Sequence, residues 1–215
     1  MRVLIPYLAT HGLRPFHRFF PDMLWRVDAA APTAYLTFDD GPTPELTRPI
    51  LDTLAEYDAQ ATHFLIGSHA AEHPDLVRAI VADGHRVGNH TYTHPDPWTI
   101  SQEGLARELQ RTTEVLEDLV QPPLRALRPP YGHPTGVLRE WCAAHNQRMV
   151  MWDVMPGDYL QTATAERVSS FVINHIRPGS VIVLHDNPIC EDVTPPALDT
   201  ILDTLTGEGW RFDAL

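Results

Sequence analysis

The feature that most constrains this chain is a rhythm, in which short apolar runs alternate with longer stretches whose apolar residues recur at helical spacing. Strand candidates fall at 35–38, 63–66, 86–87, 125–128, 148–153, 180–184 and 210–214. Between them, Leu46, Ile50, Leu54 and Tyr57 form one helical face, Leu76, Val77, Ile80 and Val81 a second ahead of Gly84, and Leu105, Leu109, Leu116 and Leu119 a third. Further helices are expected near 135–145, 164–176 and 195–206. A strand that returns through a helix lies parallel to its predecessor, so the pattern predicts an α/β fold. About seven parallel strands suit a single-domain (β/α) barrel better than a narrow open sheet. Thr43 is expected to cap a helix whose first position is Pro44, and Thr99 with Gln102 to form a capping box.

Composition excludes several partners. With 215 residues and 43% apolar content, the chain can bury one large core. Its formal charge is −12, from 16 basic and 28 acidic residues, so nucleic acid and anionic membrane faces are not expected to attract it. Two cysteines do not make a disulfide framework, and Cys142 reads as a small core residue. The opening run MRVLIPYLATHGLRPFHRFF is broken at Pro6 before it reaches the apolar length of a signal peptide, and no window has transmembrane length. The expectation is therefore a cytoplasmic protein, unless the natural start lies upstream of Met1. Nothing in the sequence sets an oligomeric state.

The chemistry gathers at the ends of the strand candidates. TFDDGPTP places Asp39 and Asp40 together, and HTYTHP brings His90 and His94. Two imidazoles and one carboxylate can hold a first-row dication with a position open to water, while a second carboxylate takes that water's proton. Neighbouring side chains on a strand point to opposite faces, so the strand must end at the aspartates for both to serve one site, and Gly41 and Pro42 supply the break. Asp-Asp-Gly-Pro alone reads equally well as a solvated turn; the histidines tip the balance. Pro95 and the lack of a Glu after His90 argue against a zincin helix. His63, His69, His73, His85, His133, His145 and His175 read as structural or surface residues. In ALRPPYG, Arg128 precedes two prolines and suits the gripping of a carboxylate. In SVIVLHDNP, His185 ends a strand and can donate a proton if a carboxylate raises its pKa; Asp158, Asp153 and Asp186 are the candidates for that carboxylate.

TFDDGP, HTYTHP, RPPYG, WDV with GDY, and VLHD stand in the order and spacing of the polysaccharide deacetylase family, also called the NodB-homology domain or carbohydrate esterase family 4. The resemblance runs from about Tyr35 to Leu215, with residues 31–215 as the NodB-like domain and 1–30 as an N-terminal extension packing on it. It implies a distorted (β/α) barrel that uses a divalent metal, Zn2+ first and Co2+ or a similar ion otherwise, to remove N-acetyl groups from amino sugars. Residue by residue, it implies Asp39 as general base and Asp40, His90 and His94 as metal ligands. Arg128 resembles the arginine that holds the base, and His185 the general acid oriented by Asp158. Tyr131 resembles the residue whose backbone N–H meets the oxyanion, and Leu184 the wall of the acetyl pocket. Tyr159 stands where many members have Trp, Met155 where many have Asp, and His63 where an aromatic is common. Two other readings are hydrolysis of a different C–N bond, such as a cyclic amide or formamide, and a non-catalytic carbohydrate-binding barrel. The first would be favoured by lost metal ligands and the second by a lost base or acid; this chain keeps both sets.

Overall fold

In the computed structural model, which describes Pro6, Thr10 and residues 19–120 and 123–215, the strand β2 (Thr33–Asp39) lies inside the sheet. Alternation along it decides the architecture. Ala34, Leu36 and Phe38 point outward into a core shared with helices, whereas Thr37 and Asp39 share the inward face. Leu36 and Phe38 are fully buried, each contributing about 1.5–3 kcal/mol on transfer from water.

The remaining strands are β1 (Met23–Leu24), β3 (Ala61–Leu65), β4 (Arg86–Asn89), β5 (Ala126–Leu127), β6 (Arg148–Val150), β7 (Val181–His185) and β8 (Arg211–Phe212). Their order is β1-β6-β5-β4-β3-β2-β7, with β8 on the lower part of β2, and every ladder is parallel. The sheet curls until its edges approach: Arg26 bridges to Ser180, and Val154, just past β6, to Ile182. All seven expected strands are present. β1 joins them from the segment assigned to the N-terminal extension, and residues 1–18 of that extension, apart from Pro6 and Thr10, lie outside the described residues.

Seven α-helices are described: α1 (Thr47–Glu56), α2 (Gly67–Glu72), α3 (Pro74–Ala82), α4 (Gln102–Leu119), α5 (Gly136–His145), α6 (Ala165–His175) and α7 (Thr194–Gly207). Among the described residues, no helix is long and apolar enough to cross a membrane. Two caps differ from expectation. Thr43 does not cap α1: its hydroxyl donates to the Asp186 carbonyl at 2.8 Å, and the helix begins at Thr47. For α4 the cap is Ser101, whose Oγ accepts from the Gly104 N–H at 3.1 Å, because Thr99 spends its hydroxyl on the Asp96 carbonyl.

Candidate metal centre and active site

β2 ends at Asp39, and Asp40 takes φ 76, which turns its side chain to the same side as that of Asp39. The unusual dihedral therefore belongs to Asp40 and not to Gly41. Gly41 is needed for space instead, because a Cβ there would sit 2.3 Å from Asp186 Oδ2.

Asp39 is buried and accepts from Arg128 Nη1 at 2.7 Å. Arg128 has no exposed surface, yet every nitrogen is matched: Nη1 also donates to Thr37 Oγ1, Nε to the Val150 carbonyl and Nη2 to the Met151 carbonyl. Its guanidinium lies 4.2 Å from the Phe64 ring centroid. A buried cation so completely bonded is fixed in place, and it fixes the carboxylate it grips.

Asp40 is held differently. Its Oδ2 accepts from Asn187 Nδ2 at 3.1 Å, and its backbone carbonyl accepts from His69 Nδ1 at 2.9 Å. Oδ1 is buried without a hydrogen-bond donor, facing His90 Nε2 at 3.6 Å and His94 Nε2 at 3.4 Å. Burial works to raise the Asp40 pKa, but the neighbouring imidazoles of His90, His185 and His94 hold it well below the usual carboxylate range. His90 Nδ1 meets the Arg128 carbonyl at 2.7 Å; a carbonyl only accepts, so Nδ1 carries the proton and Nε2 presents a lone pair. Burial and the neighbouring His90 push the His94 pKa down to about 4, keeping that ring neutral as a ligand must be. One donor atom from each of Asp40, His90 and His94 lies within 4.8 Å of the others. An orphaned buried oxygen facing two imidazole nitrogens fits a divalent cation.

The turn that carries the histidines is clamped from α4. Asn89 accepts from the Thr91 N–H and donates to the Leu109 carbonyl and Thr113, while Glu108 Oε2 accepts from the N–H groups of Tyr92 and Thr93. Thr91 and His94 both have positive φ, so the two rings meet through a turn and not along a helix.

Across the cavity, Asp158 settles the choice among the three acids. Its Oδ1 lies 2.9 Å from His185 Nδ1, and its Oδ2 accepts from the His185 N–H and from Thr194. Burial disfavours a charged His185, but the charge and hydrogen bond of Asp158, with Asp39 and Asp40, raise its pKa to about 9. Asp153 instead binds Arg177 and the Val181 N–H, and Asp186 accepts from Thr47 Oγ1. Tyr159 packs edge-on against His185 with ring centroids 4.8 Å apart, and the ring of Tyr131, whose φ is 57, has its centroid 4.8 Å from that of His94.

Asp39, Asp40, His90, His94, Tyr131, Tyr159 and His185 line a cavity of about 560 Å3. Leu184 is a correction: it is fully buried in the outward core, and Val183 lines the cavity in its place. Period-two alternation from His185 gives that answer. His69, read as structural or surface, also lines the cavity, whereas Thr37, Asn89, Glu108 and Asn187 carry no motif signal of their own. His63 has the buried structural place expected of it, packed against Phe38 with neither ring nitrogen hydrogen-bonded.

A family model described as polysaccharide deacetylase matches residues 26–150. A chitooligosaccharide deacetylase of Sinorhizobium fredii is 38% identical over 201 residues, covering 88% of this chain and 93% of that protein. A peptidoglycan-N-acetylglucosamine deacetylase of Bacillus cereus is 35% identical over 181 residues, covering 84% of this chain; the match spans 66% of that longer protein. Among solved structures, a peptidoglycan N-acetylglucosamine deacetylase in complex with 4-naphthalen-1-yl-N-oxidanyl-benzamide superposes with a TM-score of 0.85 at 32% identity, covering 90% of this chain and 91% of that one.

Proposed function

The chain belongs to the polysaccharide deacetylase family, and from that premise we propose that it removes N-acetyl groups from an amino-sugar oligomer or polymer, with Zn2+ held by Asp40, His90 and His94. The observation that carries the reading is the orphaned Asp40 Oδ1 facing two imidazole nitrogens, beside a carboxylate already gripped by a buried arginine. When bound, the cation supplies Lewis acidity, polarising the acetamide carbonyl and making a water more acidic.

Each remaining part of the reaction falls to a side chain. Asp39, kept in place by Arg128, accepts the proton of the attacking water. The backbone N–H of Tyr131 serves the oxyanion of the tetrahedral state, a kind of contact whose removal commonly costs about 3–4 kcal/mol. His185, protonated with Asp158 behind it, gives its proton to the departing amine, so acetate and a free amino sugar leave. Val183, Met155 and Tyr159 help line the space that receives the acetyl group. Base, acid and all three metal ligands are retained, which favours catalysis over a binding-only barrel.

The direct test is acetate release from N-acetylglucosamine oligomers with and without a chelator. Activity should vanish on chelation and return with Zn2+. Undiminished turnover in the fully stripped protein defeats the metal-dependent reading.

A further inference from the structure

Aromatic rings continue outward from the metal ligands past Tyr131. The ring centroids of His94 and Tyr131 are 4.8 Å apart, those of Tyr131 and His133 5.8 Å, and those of His133 and Trp98 3.6 Å, the last pair stacked with planes 2° apart. Trp98 is 64% exposed and Tyr131 61%, although both are large rings.

Trp98 is nevertheless held firmly. Its indole Nε1–H donates to the Pro134 carbonyl at 3.1 Å, and its backbone N–H donates to Asp96 Oδ1 at 2.9 Å. The same carboxylate oxygen accepts from His133 Nδ1 at 2.8 Å, so one acid fixes both members of the stack. Ordering a side chain costs conformational entropy, and here it leaves an apolar surface in water. A flat, rigid, wet aromatic face beside a catalytic cavity is the form a ligand platform takes. The occupant that fits is a pyranose: its C–H face is apolar and lies flat on an indole, while its rim of hydroxyls suits the carboxylate and imidazole at the edge of the shelf.

We propose that Trp98, backed by His133 and anchored by Asp96 and Pro134, binds a distal sugar ring, more than one residue along the oligosaccharide from the ring whose reacting acetamide occupies the cavity. The proposal rests on the deacetylase reading and adds a preference for chains long enough to reach the shelf. The competing role for Trp98 is purely architectural, tying the turn at 95–100 to the loop at 133–134.

Measuring kcat and KM for acetate release from the N-acetylglucosamine disaccharide and pentasaccharide separates the two roles. In Trp98→Ala the pentasaccharide-to-disaccharide ratio of kcat/KM should fall about tenfold, mainly through KM, while Trp98→Phe should keep most of it. An unchanged ratio in an active variant, or an equal loss on both sugars, overturns the shelf and leaves the deacetylase reading standing. If the unaltered chain releases acetate from neither sugar, the deacetylase reading fails and the shelf falls with it. Should Trp98→Ala not fold, the indole N–H resonance of Trp98 can be followed in Asp39→Asn: the pentasaccharide should shift it more than the disaccharide does, and no shift with either rejects the proposal.

Discussion

Two pairs of histidines sit at similar ring separations in this fold, 5.0 Å for His90 and His94 and 5.7 Å for His63 and His85, and they could hardly serve more different ends. The first pair faces an undonated carboxylate oxygen, and the Arg128 carbonyl fixes the His90 tautomer. In the second pair, His85 Nδ1 accepts from the Ala61 N–H, while His63 is fully buried against Phe38 with both nitrogens idle. Burial lowers the pKa of His63 to about 3, and the nearby His85 adds to the effect. Proximity of imidazoles is thus common to a metal centre and an apolar filler. The acid between them and the orientation of the lone pairs make the difference.

The sharpest way to break the comparison is at the ligands. His90→Ala should lose the metal by elemental analysis and reduce acetate release to background, whereas Asp39→Asn should keep the metal and lose about 10²–10⁴-fold in kcat. If both variants stay active, the site is misassigned. A smaller effect is expected at Asp158. As the proposed acid, His185 works in its protonated form, so activity should fall as pH rises through its pKa, about 9 with Asp158 beside it. In Asp158→Asn, burial acts with less opposition, so the alkaline limb of the kcat profile should move to lower pH. A limb that does not move removes His185 from the role of acid.

The smallest effect tests the other pair. The folded-state pKa of His63 lies below its ordinary 6.5, so from pH 6.5 downward the unfolded chain binds a proton that the folded one refuses. Stability present above pH 6.5 is then lost by about 1.4 kcal/mol per pH unit on descent toward 3. Urea midpoints of the metal-free protein at pH 7 and 5 should show His63→Leu losing about 2 kcal/mol less than the parent over that interval. Equal losses would mean that His63 is not buried neutral.

Much of this was legible in the residues because it is periodic or local. β2 and β7 announce themselves by apolar runs that stop at an acid or an imidazole, and the break at Asp39–Asp40 follows from the pleat once the histidines argue that both acids serve one site. β1 does not, since Met23–Leu24 runs on into Trp25 with no such ending. Thr43 and Thr99 look like caps, but the Thr43 hydroxyl finds a partner 143 residues away and that of Thr99 turns back to the Asp96 carbonyl. The supports of the site were equally hidden: Thr37 meets Arg128 across 91 residues, and Asn187 meets Asp40 across 147. Naming Leu184 in place of Val183 was an error of parity, one step along a strand.

Asp39 and His185 are register partners in the parallel pairing of β2 with β7. The backbone separation of the proposed proton acceptor and proton donor is therefore set by the parallel ladder, at the interstrand spacing of about 4.8 Å. Surrounding loops can be lengthened, shortened or recoloured in sequence while this gauge stays constant, so that specificity can diversify on a fixed reactive span.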